Sequence, residues 1–114
     1  MDVPLILESE YVPGWRGNKT TANPLKVTLQ PLTGGQRAEC IGFRTSEGVV
    51  TSHIDMPRLV EYGVKEIRDL SAGGEAVVTG RGLVRSKGAG VEQLILELAA
   101  EIILRNQETD LKNS

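Results

Sequence analysis

The sequence predicts a small single domain of the α+β class: a short antiparallel β portion packed with a few short helices and a long C-terminal amphipathic helix. Three observations lead to this prediction. The chain has 114 residues, about the length of one domain. Residues 25–30 alternate between apolar and polar, as in a half-buried strand. Over residues 91–106 the apolar positions recur three and four apart, as on one face of a helix. The predicted domain covers residues 1–106, and residues 107–114 form a polar tail that we expect to fray.

The N-terminal part predicts two extended segments separated by a loop. Residues 3–7 are a short apolar run with β-branched members, which favours an extended segment or an edge strand. Residues 11–24 are rich in turn formers and predict a long loop. The alternating strand follows and stops at Pro31, which has no N–H to offer a neighbouring strand.

The segment after Pro31 allows two interpretations. Thr33 is a candidate helix N-cap, because Gln36 three residues later completes a capping box. Gly34 and Gly35 in the first turn weaken that helix. Residues 38–43 could instead form a strand that turns at residues 46–48. We expect a short helix first and a strand after the turn.

The middle of the chain predicts a short helix at about residues 56–62. Asp55 can cap it, Pro57 suits its first turn, and Gly63 is placed to end it. A glycine turn at residues 73–74 follows, and then a further short turn capped by a threonine.

The last predicted helix has a wide apolar face. A first apolar stripe is joined through Ala99 to a second stripe, which contains Leu96 and Ile103. At 100° per residue the apolar arc covers roughly 200°, about twice the usual minimum for a surface helix. Either the β portion covers two sides of this helix or a second protein covers one, and we therefore treat Leu96 and Ile103 as candidate protein-interface residues. The first stripe comprises Val91, Leu94, Ile95, Leu98 and Ile102.

The net charge and the composition of the chain indicate which classes of partner to expect. The net charge is −2, and only four residues are aromatic: one Trp, one Phe and two Tyr. A nucleic-acid-binding domain usually has a basic face or exposed rings that stack on bases, so we expect no nucleic-acid partner. One cysteine cannot form an intramolecular disulfide, which favours a reducing compartment. With no basic leader and no long apolar run, we expect a cytoplasmic protein that does not enter a membrane.

No catalytic or metal site is recognisable. His53 is the single histidine, and no serine or cysteine nucleophile accompanies it in a known motif. Cys40 is most simply a small buried apolar residue. Clusters at metal-ligand spacing are lacking. We therefore expect no enzyme activity and no cofactor.

Two further groups of residues are candidates for binding. Residues 80–90 form a basic, glycine-containing loop with Arg81, Arg85 and Lys87, and such a loop before a helix can hold an anion. The spacing matches neither the P-loop nor the dinucleotide fingerprint, so a loop that docks on a partner and an ordinary connection remain alternatives. Tyr11 and Trp15 are candidate interface anchors, because these residue types dominate binding hot spots. Alternatively, they fold back to cover a core that has few other aromatics.

Several segments together resemble the small tail proteins of long-tailed bacteriophages, in particular the tail-assembly chaperones and their prophage relatives. The resemblance spans most of residues 11–104. It is carried by the loop at 11–18 (YVPGWRGN), the strand and turn at 25–33 (LKVTLQPLT), the segments 53–60 (HIDMPRLV) and 64–70 (VKEIRDL), and the terminal amphipathic helix.

The resemblance implies a function without catalysis. A protein of this family coats the long, helical tape measure protein while the tail tube assembles around it, in the cytoplasm of the bacterial host. It implies a tape measure or other tail protein as partner. The wide apolar face of the last helix separately predicts self-association or partner binding, and we expect a homo-oligomer. Two alternatives stay open: a tail completion or connector adaptor retained in the virion, and a small anion-binding domain that uses the basic loop.

Overall fold

The computed structural model describes the backbone of residues 1–112 and the side chains of residues 1–106. It contains both antiparallel strands and helices in one small domain, which confirms the predicted α+β class. In chain order the elements are β1 (Ser9–Tyr11), a 3₁₀ segment (Trp15–Thr20), β2 (Lys26–Leu29), α1 (Gly34–Glu39), β3 (Ile41–Ser46), β4 (Val49–Ile54), α2 (Met56–Gly63), β5 (Val64–Arg68), β6 (Ser71–Ala72), β7 (Glu75–Ala76), α3 (Gly80–Arg85) and α4 (Val91–Lys112).

The main sheet is antiparallel and has the strand order β1-β2-β5. Val27 of β2 lies between Tyr11 of β1 and Ile67 of β5. The apolar positions of β2 predicted from the period-2 pattern are buried, and they pack in one cluster with the apolar faces of α2, α3 and α4. From α4 that cluster takes Val91, Leu94, Leu98, Ala99 and Ile102.

The prediction of a possible edge strand at residues 3–7 is wrong in its position. The strand begins later, with Ser9 opposite Leu29. Strand β2 has no free backbone N–H to pair with residues 3–7 just beyond Leu29. The N–H of Gln30 donates to the carbonyl of Gly63 at 2.8 Å, and Pro31 has no N–H. Residues 3–7 therefore lie on the surface without strand pairing.

The helix after Pro31 forms despite its two glycines. Thr33 Oγ1 accepts from the N–H of Gln36 at 3.0 Å, and the Gln36 side chain accepts from the N–H of Thr33 at 3.0 Å, so the predicted capping box is confirmed. The helix is only six residues long. Strand β3 follows it directly and includes part of residues 38–43, for which a strand was the alternative interpretation. Helix and strand therefore both occur, one after the other.

Helix α2 begins as predicted but ends for another reason. Asp55 Oδ1 accepts from the N–H of Arg58 at 3.1 Å. Gly63 does not terminate the helix through a left-handed conformation, since α2 passes directly into β5. A Cβ at Gly63 would instead lie 2.7 Å from Ile102 Cδ1, so a larger residue would have to displace the Ile102 side chain where α2 and α4 pack. The turn at residues 73–74 is confirmed, as is the threonine cap, where Thr79 Oγ1 accepts from the N–H of Gly82 at 2.9 Å.

Helix α4 is longer than predicted. Its backbone is helical to Lys112, six residues beyond the expected limit. The part of the predicted polar tail at residues 107–112 thus belongs to α4, and residues 113–114 lie outside the described part of the chain. Among the described residues, no helix is both long and apolar enough to cross a membrane.

Candidate protein-binding surface

The hairpin of β3 and β4 exposes an apolar face to solvent. The two strands pair over six positions, and Glu47 and Gly48 form the turn with φ of 51° and 77°. Side chains alternate between the two faces, so one face collects apolar residues from both strands. Phe43 is 71% exposed and Val50 is 65% exposed. We name this the hairpin face, and it consists of Ile41, Phe43, Thr45, Val50, Ser52 and Ile54.

The opposite face of the hairpin carries His53. Its ring lies over the backbone of Gly42, its cross-strand partner, where a Cβ on Gly42 would be only 2.2 Å from the imidazole. The ring thus covers a glycine in the strand. Throughout the described residues, no group of three or more His, Cys, Asp and Glu is placed to hold a metal ion.

An apolar groove connects the root of the hairpin to α4. Its volume is about 340 Å³. Ile41 and Ile54 belong both to the hairpin face and to this groove, and Ile103 lines it from α4. The hairpin face and the groove therefore form one continuous surface. The lining residues of the apolar groove are Arg37, Cys40, Ile41, Ile54, Leu59, Ile103 and Asn106.

The second stripe of α4 is only partly covered by its own chain. Leu94 and Leu98 of the first stripe are fully buried. Ile103 is half-buried and faces the apolar groove, whereas Leu96, two turns earlier on the same side of the helix, is 54% exposed. Of the two sequence candidates on this stripe, Ile103 therefore lies in the candidate surface and Leu96 extends the stripe beyond it.

Cys40 lies at the floor of this region. Its side chain is almost completely buried, as the sequence predicts, and burial with the nearby charge of Asp55 raises the pKa of its thiol. A raised pKa leaves little thiolate near neutral pH, so this cysteine is not activated as a nucleophile.

Tyr11 and Trp15 fold back onto the protein. The Tyr11 hydroxyl donates to Glu97 Oε2 at 2.7 Å, and the N–H of Gly14 donates to the same oxygen at 2.8 Å. The Trp15 indole N–H donates to the carbonyl of Gly90 at 3.1 Å. Both rings are half-buried against the core and neither lines the apolar groove, which favours the covering role that the sequence left open.

Tyr11 is also held electrostatically. The Arg105 guanidinium lies over its ring, 5.5 Å from the centroid, and forms an ion pair with Glu101 at 2.8 Å. Burial, followed by the hydrogen bond to Glu97 and the charge of that carboxylate, raises the pKa of Tyr11 from 10.0 to about 12.

We expect this tyrosine to make stability depend on alkaline pH. Because its pKa is higher in the folded state, its contribution is complete below about pH 10 and is lost as the pH rises to about 12. In Tyr11→Phe this part of the decline should disappear, although the loss of one hydrogen bond should cost about 1 kcal/mol at neutral pH. Urea unfolding between pH 8 and 11.5 measures both effects. Parallel stability curves for the variant and the wild type would contradict the assignment.

The basic segment at residues 80–90 is not one loop, as the sequence suggested. Its first part is helix α3, because Thr79 caps it and the fully buried Leu83 anchors it. Arg85 and Lys87 line a concavity of about 560 Å³, together with Glu75, whereas exposed Arg81 lies outside that lining. The structure thus separates the two arginines that the sequence grouped, and a carboxylate shares the site with the remaining cations.

Sequence reasoning missed the hairpin face. The sequence places Phe43 in a segment that could be helix or strand and Val50 in a strand after the turn, and it does not predict that both side chains are exposed. The usable signal was a glycine turn at residues 47–48 between two runs rich in β-branched residues.

Comparisons of the chain with protein-family models, with curated proteins and with solved structures found no match.

Proposed function

We propose that the chain is a phage tail-assembly chaperone-like protein without enzymatic activity, which binds the tape measure protein during tail morphogenesis in the host cytoplasm. The observation that carries this proposal is the apolar groove with its continuation onto the hairpin face. The resemblance of residues 11–104 to the tail-assembly chaperones supplies the identity of the client.

The apolar groove suits an amphipathic helix. Such a helix presents apolar side chains at positions i, i+3 or i+4, and i+7 along one face. Ile41 and Ile103 offer apolar contacts on the two sides of the groove, and the exposed Leu96 extends the α4 side. Arg37 and Asn106 form a polar rim, where an Arg37 Nη1 donates to Asn106 Oδ1 at 3.2 Å. This rim can contact the polar flank of the client.

The size of the surface fits a reversible interaction. A groove of this volume contacts only a few client side chains, so the affinity of one copy should be modest. A long helical client offers many successive sites, and several weak contacts along it together hold the chaperone by avidity. Each copy can still be released when the tail tube displaces it.

Replacing Ile41 by glutamate should weaken binding of a tape measure fragment by at least tenfold, because a charge would be buried in the apolar contact. Titration calorimetry with a purified helical fragment of the tape measure protein provides the measurement. Val78→Glu is the matched control, since Val78 is also a large exposed apolar residue (54%, against 45% for Ile41) and lies outside the groove. Equal affinities for the two variants, at equal thermal stability, would refute binding through this groove.

A structural adaptor retained in the virion is the second candidate function. It is favoured by residues 1–7, which are unpaired and expose Val3, Leu5 and Leu7. Such an apolar arm is better suited to a permanent contact than to a transient one, because it needs constant cover from water. Mass spectrometry of purified particles separates the two functions: a chaperone is absent from finished tails, and an adaptor is present in stoichiometric amount.

A further inference from the structure

The β3–β4 hairpin is a two-stranded sheet that projects from the domain. Within the described residues, β3 and β4 pair only with each other, and every residue of β4 is exposed. At its root the N–H of Asp55 donates to the carbonyl of Cys40 at 2.7 Å. An isolated two-stranded hairpin is marginally stable in water, and three or more strands are usually needed. A further strand would therefore stabilise the hairpin.

The outer edge of β4 is the open side. Its six residues, Val49–Ile54, include no Asp, Glu, Lys, Arg or Pro. Soluble proteins normally protect an exposed edge with charges, prolines or bulges, and an edge without them pairs readily with another strand. The neighbouring strand differs, because β3 carries Arg44 and packs near α1.

The register of the hairpin shows which backbone groups are open. In a two-residue hairpin the residues that flank the turn exchange both hydrogen bonds, which here are Ser46 and Val49. The pattern alternates along an antiparallel pair. The N–H and C=O groups of Val50, Ser52 and Ile54 therefore point away from β3, toward solvent.

We propose that β4 pairs antiparallel with β4 of a second copy of this chain, about a two-fold axis at Ser52, to form a four-stranded sheet. In this register Ser52 faces its own counterpart, and Val50 of each copy faces Ile54 of the other. All outward backbone groups of β4 are then paired. The four strands also reach the number that makes a sheet stable.

A second copy fits this edge better than an unrelated strand. In a two-fold symmetric pairing, each β4 meets an identical β4 that runs in the opposite direction. Because β4 contains no Asp, Glu, Lys or Arg, the pairing brings no like charges of these residues together. The pairing also joins the two hairpin faces into one apolar surface. Ile41, Phe43, Val50 and Ile54 leave on the order of 400 Å² exposed per copy, within the range of the largest patch on a typical monomer. Edge pairing leaves these faces in solvent and buries only the edge of β4, which matches a weak, reversible dimer rather than an obligate one. The dimer contact uses the edge of β4 and does not depend on client binding, although Ile41 and Ile54 also line the apolar groove.

Cysteine cross-linking tests the register directly. In Ser52→Cys, the two sulfurs meet across a hydrogen-bonded pair with Cα atoms about 5.5 Å apart, within disulfide range. Thr45→Cys is the matched control, because Thr45 is also exposed on the hairpin face but lies three strand spacings from its counterpart, at least about 14 Å. Mild oxidation should give covalent dimers of Ser52→Cys and none of Thr45→Cys. The native Cys40 is buried and is present in both variants, so any cross-linking through it would be the same in both. Equal cross-linking of the two variants, or none in either, would overturn the proposal.

A proline at the same position tests the contact without a disulfide. The N–H of Ser52 points outward, so Ser52→Pro removes an intermolecular hydrogen bond and leaves the β3–β4 ladder bonds in place. Sedimentation over a range of concentrations should show self-association at least tenfold weaker than in the wild type and in Ser52→Thr. A wild-type chain that stays monomeric at all concentrations overturns the proposal. If Ser52→Pro then loses the tape measure fragment instead, the edge belongs to the client.

Discussion

Replacing Gly80 by alanine should destabilise the protein by about 3 kcal/mol or more. A Cβ at this position would lie 2.2 Å from the carbonyl oxygen of Val60 and 2.9 Å from Val64 Cβ. The first of these atoms belongs to the backbone of α2, so the clash cannot be relieved by a side-chain rotation. Helix α3 would have to move away from α2, which would open the contact around the fully buried Leu83.

Gly34→Ala is the matched control for this prediction. Gly34 and Gly80 are each the first residue of a helix, and each follows a threonine N-cap. A Cβ at Gly34 would meet nothing within 4 Å. The control should therefore be neutral or stabilising by up to about 1 kcal/mol, because alanine restricts the unfolded chain more than glycine does. Denaturant unfolding of both variants decides the question, and similar free energies of unfolding would show that α2 and α3 do not pack this closely.

Asn18→Ala should cost about 3 kcal/mol, although it lies in a loop. Asn18 is the buried polar residue of the loop between β1 and β2. Its Nδ2 donates to the carbonyl of Pro13 at 2.8 Å and to that of Leu25 at 3.0 Å, and its Oδ1 accepts from the N–H of Leu25 at 2.8 Å. Alanine would leave these backbone groups buried without partners, at about 1 kcal/mol or more for each.

The loss should also loosen the start of β2, because Leu25 precedes that strand. Asn23→Ala is the control: it makes the same change in the same loop at an exposed position, and it should alter stability by less than about 0.5 kcal/mol. Thermal unfolding followed by circular dichroism compares the two. If the two variants melt together, the Asn18 bonds do not hold this loop in the folded protein.

The positions of the candidate site residues show where sequence reasoning reached its limit. The sequence left two roles open for Tyr11 and Trp15, interface anchors or cover for the core. Their contacts are Glu97 and the carbonyl of Gly90, more than 70 residues along the chain. No local pattern encodes those contacts. Ile103 was selected from helical periodicity alone, and it does line the apolar groove. The hairpin that forms the other side of that groove was only an alternative interpretation, and the sequence did not indicate its exposed apolar face.

The sequence by itself determined the local elements. The capping box of Thr33 and Gln36, the cap that Asp55 provides for α2 and the alternation along β2 each depend on residues within a few positions of one another, so the chain specifies them before it folds. Tertiary structure decided everything that depends on a neighbour distant in sequence. Gly63 leaves room for the Ile102 side chain, and residues 3–7 stay unpaired because β2 ends opposite Ser9. The hairpin face stays exposed because the domain core closes without it. These outcomes follow from packing and from the supply of backbone hydrogen-bond partners, which only the folded chain sets.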